Sequence, residues 1–195
     1  METQRPEIGR RAIVVGNCGS GKTWFSVRLA EITGLPLTHL DVLGWRGNWE
    51  KTPRDEFDAL LDEVLSGESW IIDGNYSRTM PRRLERADTV FWFDFPGFRC
   101  LCGVVSRFFR DYGKSRADMG GNCVETFDSE KLRFFWTTYR GAKKTHERIA
   151  GLLADAPAGL AVHVFRKRRE AERFLEALEE EKTKDPAGRT EENGK

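Results

Sequence analysis

The chain has 195 residues, 39% hydrophobic and 32% charged, and its 32 Lys plus Arg almost cancel its 31 Asp plus Glu, leaving a formal charge of +1. That size points to one compact domain, and the near-neutral total excludes a whole-protein field for gripping nucleic acid or an anionic membrane, so any anion site must be local. Six Trp and 13 Phe supply ample core material, which excludes a disordered linker or tail protein.

Residues 1–10 are polar, lack the apolar stretch of a signal peptide and are expected to be flexible. An apolar run at 12–15 reads as a strand ending at Gly16. A helix at 24–32 follows, with Phe25, Leu29 and Ile32 at i, i+4 and i+7. Residues 37–40 form a short strand, and after a loop rich in Trp and Gly, Thr52 is placed to cap a helix at 53–65 with Pro53 at its first position. That helix would bury Phe57, Leu60, Leu61, Val64 and Leu65. Strands at 70–72 and 90–93 each run into an aspartate, Asp73 and Asp94. The segment 96–149 reads as two helices joined by a polar, glycine-containing loop at 111–128, a length that points to function or mobility. A last strand at 160–165 leads into an amphipathic helix at 169–180. Residues 181–195 are polar, contain Pro and Gly, and are expected to be a disordered tail.

Strands alternating with helices predict an α/β domain over 11–180, with a parallel sheet covered on both faces. No apolar run approaches the roughly 18 residues needed to span a bilayer, so a cytoplasmic protein is expected. Cys18, Cys100, Cys102 and Cys123 form no CxxC pair and have no His at ligand spacing. Free, partly buried thiols are expected, not a zinc site or disulfide framework.

Gly16-Asn17-Cys18-Gly19-Ser20-Gly21-Lys22-Thr23 matches G-x-x-x-x-G-K-[ST] and lies between a predicted strand and a predicted helix. The glycines let backbone N–H groups curl around phosphates, and the helix N-terminus adds partial positive charge. Lys22 would reach the β- and γ-phosphates, and the Thr23 hydroxyl would complete a Mg²⁺ shell. A dinucleotide fold is excluded, because G-x-G-x-x-G is absent and Trp24 stands three residues beyond Gly21. Three aspartates, Asp41, Asp73 and Asp94, close predicted strands. In a parallel sheet their carboxylates would emerge at the same edge as the phosphate loop, although any one of them alone could simply cap a turn.

Trp70-Ile-Ile-Asp73-Gly74-Asn75-Tyr76, with Leu40-Asp41, Trp45, Ala87-Asp88-Thr89 and the Arg-rich distal segment, resembles the bacterial DNA topology modulation proteins. Those look like relatives of adenylate kinase and shikimate kinase within the nucleoside monophosphate kinase-like P-loop group. The resemblance spans roughly 11–178 and implies a three-layer P-loop NTPase fold with a five-stranded sheet ordered 2-3-1-4-5. It also implies that Asp73 matches the aspartate at the metal and phosphate site, and that Asp41 matches the acidic position holding an acceptor hydroxyl. Adenylate kinases follow Asp-Gly with Phe-Pro-Arg, whereas here Asn75-Tyr76-Ser77-Arg78 places the arginine one residue later, a departure that argues against AMP as acceptor. Among the arginines after the Asp-Gly pair, Arg78 by position and Arg83 by resemblance are candidates to meet the acceptor. Arg166, leaving the last strand, is a candidate to lie against the adenine, while His163 within that strand is expected to be structural.

On a helix at 96–110, Leu101, Val104, Val105 and Phe108 share one face, and Arg99, Arg107 and Arg110 lie within about 80° on the opposite one. Arg107 and Arg110 are expected to belong to a lid, over about 107–128, that closes on the phosphates; Arg99 is expected to be solvated. The next helix carries Leu132, Phe135, Trp136 and Tyr139 on a stripe expected to be core. Arg133, Arg140 and Lys144 form a second stripe, which suits an acceptor site, nucleic acid or a solvated face. Trp45 and Trp49 would either stack on a planar or sugar-like acceptor or plug the pocket.

The expected function is therefore transfer of the ATP γ-phosphoryl group, with Mg²⁺, to a small acceptor that the sequence does not identify. Lys22, Asp41, Arg107 and Arg110 would be the catalytic groups, and Thr23 and Asp73 the metal ligands. Residues 16–23 and Arg166 would hold ATP, and Asp41, Trp45, Arg78 and Arg83 the acceptor. A nucleotide-dependent DNA regulator and an ATPase without an acceptor are the rival readings, with nucleic acid and membrane not expected as partners and a monomer or dimer sufficient.

Overall fold

The computed structural model describes residues 8–46, 49–113 and 127–184. Its elements in chain order are β1 (Arg11–Gly16), α1 (Lys22–Thr33), β2 (Leu37–His39), α2 (Leu40–Gly44), β3 (Trp45–Arg46), β4 (Glu50–Lys51), α3 (Arg54–Ser66), β5 (Trp70–Asp73), α4 (Met80–Leu84), β6 (Thr89–Phe93), α5 (Gly97–Asp111), α6 (Ser129–Ala154), β7 (Ala161–Phe165) and α7 (Arg168–Lys184). Five strands form one parallel sheet in the order β2-β5-β1-β6-β7, which is the expected 2-3-1-4-5 when only sheet strands are numbered.

β1 is central because it is apolar on both faces, and each face meets a different layer. Ile13 and Val15 point toward Phe57, Leu61 and Leu65 of α3, Met80 and Leu84 of α4 and Ile149 of α6. Ala12 and Val14 point toward Phe25, Leu29 and Ile32 of α1 and Ala171 and Leu175 of α7. Phe25 packs tilted or edge-on against Phe91, Phe93 and Phe165 at centroid distances of 4.9, 5.3 and 5.5 Å, which locks α1 behind the phosphate loop. His163 stacks on Phe91 at 5.2 Å and meets Phe174 at 4.8 Å, in keeping with a structural role.

Several expectations change. Asp41 does not end a strand; β2 stops at His39 and Asp41 lies in the first turn of α2. The Trp- and Gly-rich loop contains a two-residue antiparallel hairpin, β3–β4, and Pro53 takes the cap position expected of Thr52. The stripe on α6 is not core: Leu132, Trp136 and Tyr139 are 54%, 59% and 44% exposed, while Phe135 packs against Phe108 of α5 and Thr138 is buried. In this helical hairpin, Phe108 and Phe135 already fill the seam, which leaves their aromatic neighbours outside. Residues 181–184, expected in the tail, continue α7. Most of the expected lid (114–126), Cys123, the tail beyond 184 and the first seven residues lie outside the described residues.

Candidate active site

The phosphate loop leaves β1 at Gly16 and enters α1 at Lys22, with Gly21 capping the helix at φ 93°. Its path is fixed by a close approach: a Cβ on Gly19 would fall 2.2 Å from the Cys100 carbonyl oxygen of α5, and one on Gly103 would fall 2.1 Å from that of Gly19. Only two glycines let α5 and the loop lie backbone to backbone. Burial beside the loop pushes the Cys100 thiol up to about 11. Within the loop, the Lys22 ammonium donates to the Asn17 carbonyl at 3.1 Å. The Asn17 side chain donates to the Thr138 carbonyl of α6 at 2.9 Å and accepts from Cys18 N–H at 3.0 Å. Among the described residues, the Ser20 hydroxyl is buried without a hydrogen-bond partner.

Directly beyond Lys22, the Thr23 hydroxyl donates to Asp73 Oδ2 at 3.0 Å, and His39 Nδ1 lies 3.0 Å from the same oxygen. Asp73 is 5% exposed, and its other oxygen, Oδ1, is buried with no hydrogen-bond partner among the described residues. A buried carboxylate oxygen without a donor is costly unless a cation or water meets it. A carboxylate paired with a hydroxyl beside a phosphate loop is a hard-oxygen donor set that suits Mg²⁺, an ion usually held by one or two protein oxygens together with substrate phosphates. Among the described residues, no group of three or more His, Cys, Asp or Glu is placed to hold a metal by itself. His39 carried no sequence signal beyond standing two residues before Asp41, and it was not among the expected site residues.

The turn after β5 is set by two side chains whose roles the sequence did not reveal. Asn75 grips the start of the phosphate loop at both polar atoms: its Oδ1 accepts from Gly16 N–H at 3.0 Å and its Nδ2 donates to the Gly16 carbonyl at 2.7 Å. A side-chain amide thus replaces the ladder bonds that β5 no longer supplies past Asp73. Arg83, expected at the acceptor, is instead fully buried. Its Nη1 donates to the Gly74 carbonyl at 2.9 Å and its Nη2 to those of Asn75 and, at 3.2 Å, Tyr76. Burial without a carboxylate pushes its pKa down to about 9. A planar fork of donors suits three successive carbonyls, and this clamp holds Tyr76 at φ 32°, a left-handed conformation that costs a non-glycine residue roughly 1 kcal/mol or more. Arg78, the other acceptor candidate, makes a two-point pair with Asp58 of α3 at 2.7 and 2.8 Å, which holds the Asp58 carboxyl below its usual range.

At the edge beyond β2, the Tyr76 phenol is partly buried beside Asp41 and Trp45. Burial, then the Asp41 charge, raises the Tyr76 pKa, so the phenol keeps its proton. Tyr76 stacks on Phe57 at 4.9 Å, and its approach requires Gly44, where a Cβ would fall 2.0 Å from the phenol oxygen. Trp45 and Trp49 meet edge to face at 5.7 Å. Lys131, at the start of α6, lies over Trp49 at 5.5 Å and over Phe108 and Phe134 at 5.9 and 5.7 Å, joining the hairpin to α5 and α6. Asp94 belongs to the opposite side of the loop, where it meets His146 Nδ1 at 2.7 Å and Arg166 Nε at 4.0 Å. Arg107 is half-buried, and Arg110 pairs with Asp111 at 3.0 Å on an exposed surface. The carboxyl edge therefore brings together Lys22, Thr23, Asp73 and His39, while Asp41 lies in the first turn of α2 beside Tyr76.

No protein-family model and no curated protein matches the sequence. Among solved structures, the fold is similar to shikimate kinase from Acinetobacter baumannii (16% identity, TM-score 0.52, 88% of this chain and 93% of that one). It is similar also to a presumed kinase from Chloroflexus aurantiacus (17%, 0.51, 91% and 98%). Shikimate kinase from Bacteroides thetaiotaomicron gives 16% identity and a TM-score of 0.50, over 87% of this chain and 96% of that one. Identities this low speak for architecture alone: the chain has the α/β fold of P-loop kinases.

Proposed function

We propose that the protein is an ATP- and Mg²⁺-dependent phosphotransferase that moves the γ-phosphoryl group to a small hydroxyl- or phosphate-bearing acceptor, as a relative of the DNA topology modulation proteins. The observation that carries this reading is the Thr23–Asp73 pair, with its unmet buried oxygen, placed immediately after Lys22. In this reading the backbone N–H groups of Gly16, Asn17, Cys18, Gly19, Ser20 and Gly21 cradle the phosphates. Lys22 leaves the Asn17 carbonyl to hold the transferring charge. Thr23 and Asp73 hold Mg²⁺, which when bound neutralises charge on the phosphate oxygens. His39 orients Asp73, much as outer partners orient metal ligands elsewhere. Asp41 orients the acceptor hydroxyl and takes its proton, with Trp45 beside it. Arg107 and Arg110 close over the phosphates, and Arg166 lies against the base.

The fold of the kinase neighbours supports this assignment, and no helix among the described residues is long and apolar enough to cross a membrane. The test is phosphoryl transfer by Lys22→Ala. Loss of a preorganised cation at developing charge costs several kcal/mol, so at least a hundredfold drop in kcat/KM is expected. Full transfer by that variant would refute the mechanism. ADP release with no phosphorylated product would mark an ATPase, and salt-dependent duplex binding would support the DNA-associated alternative.

A further inference from the structure

The phosphate loop is gripped from β5 by Asn75 and from α5 by Gly103, and it reaches α6 through a side chain of its own, Asn17. Asn17 Nδ2 donates to the Thr138 carbonyl at 2.9 Å, and its Oδ1 accepts from Cys18 N–H at 3.0 Å. Its backbone carbonyl accepts from the Lys22 ammonium at 3.1 Å and from Ser20 N–H at 3.3 Å. One residue thus touches the loop at Cys18, Ser20 and Lys22 and a separate helix at Thr138. Thr138 is buried in the interior of α6, where its carbonyl belongs to the helix ladder, so the Asn17 amide takes the second lone pair. α6 is in turn seated on α5: a Cβ on Gly97 would fall 2.3 Å from the Tyr139 carbonyl oxygen, and Phe135 meets Phe108 at 5.7 Å. Loop, α5 and α6 therefore close a ring of contacts, with Gly19 on Gly103 at one point and Asn17 on Thr138 at another.

Close-packed contacts of this kind do not deform by degrees, so a loop fixed by a polyphosphate also fixes the helices at the points where they touch it. Opening of α6 near Thr138 breaks the Asn17 bond and frees the side chain that shapes the loop at Cys18. Two events that share a bond are linked, and the linkage is reciprocal. Resting on the reading of the loop as a nucleotide site, we propose that Asn17 is a positioning residue that joins the phosphate loop to α6. Nucleotide in the loop then orders α6 around Thr138, and order in α6 raises the affinity of the loop for nucleotide.

Hydrogen exchange of the full-length chain, with and without MgATP, reads the loop and the helix separately, and a fluorescent ATP analogue gives the affinity. In the parent, MgATP should slow exchange at 16–25 and, by about threefold or more, at 135–145. Asn17→Ser keeps a hydroxyl to accept from Cys18 N–H but stops short of Thr138. It should bind nucleotide about three- to tenfold more weakly, the effect of one neutral hydrogen bond. At saturating MgATP it should slow exchange in the loop and leave 135–145 unchanged. Gly103→Ala sets a methyl group against the Gly19 carbonyl and should weaken nucleotide binding by about tenfold or more, although Gly103 is no part of the loop. A purely structural bond would lower the melting temperature of Asn17→Ser without nucleotide and leave the MgATP effect on α6 intact. That result, or parent-like affinity in both variants, would overturn the inference and leave the phosphotransferase standing. Protection of loop and helix with no phosphorylated product from any acceptor would support the link and refute the transfer. No protection of the loop in the parent would overturn both.

Discussion

Asn75→Ala isolates the clamp that sets the start of the phosphate loop. The substitution removes two hydrogen bonds, at 3.0 and 2.7 Å, from the backbone of a buried residue, Gly16, and puts nothing in their place. Leaving a buried N–H or C=O unmet costs about 1–3 kcal/mol each. Partial relaxation and water entry bring the expected total to roughly 2–4 kcal/mol. A domain of this size, with stability of about 5–15 kcal/mol, should remain folded at that loss but melt roughly 5–15 °C lower. Because Gly16 opens the loop, ATP affinity should fall as well, by about tenfold or more, since displacements near 1 Å at positioned groups are costly. Thermal denaturation and equilibrium binding of a fluorescent ATP analogue measure the two effects. Asn75→Asp separates the two bonds: it keeps an acceptor for Gly16 N–H but sets a carboxylate against the Gly16 carbonyl, so it should be at least as harmful as alanine. A melting temperature within about 2 °C of the parent and an unchanged ATP affinity in both variants would refute the clamp.

Arg83→Met should act on folding and not on acceptor binding, because it strips donors from the carbonyls of Gly74, Asn75 and Tyr76. A loss of about 3 kcal/mol or more in denaturant unfolding is expected. A stable variant with a raised acceptor KM would return Arg83 to the acceptor site. Asp88 accepts from Arg11 N–H at 3.0 Å and Nη2 at 2.9 Å, and its pKa is lowered chiefly by the Arg11 side-chain bond. A depressed carboxylate adds stability that is present above the unfolded value near pH 4 and is lost as pH falls through the lower folded value. Asp88→Asn should therefore cost about 1–2 kcal/mol at pH 7, after allowance for partial exposure, and much less near pH 3 in paired denaturation curves. Trp136→Ser and Tyr139→Ser, on the exposed stripe of α6, should each change stability by less than about 0.5 kcal/mol; losses of 3 kcal/mol would show the stripe to be core after all.

The local signals were enough to determine much of this molecule. The run from Gly16 to Thr23 carries its own strand-loop-helix context, and β1, β5 and β6 are short apolar runs that only a sheet covered on both faces can bury, so the class and the phosphate loop follow from neighbours in sequence. The position of Asp73 at the close of β5 was legible for the same reason. What required the folded chain were partnerships across long sequence separations. Asn75 meets Gly16 across 59 residues and Asn17 meets Thr138 across 121, distances over which no periodicity can signal. An arginine after a glycine turn reads identically whether it faces a ligand, as expected of Arg78 and Arg83, or is spent on Asp58 or on buried carbonyls. Likewise, the apolar spacing of Leu132, Trp136 and Tyr139 marks a helix face without saying what covers it, and Phe108 with Phe135 had already filled the seam. The near-zero net charge excluded a global field, but only tertiary packing decided which charges cancel in pairs and which face the phosphate loop, because pairing depends on distance in space and composition records only the sum.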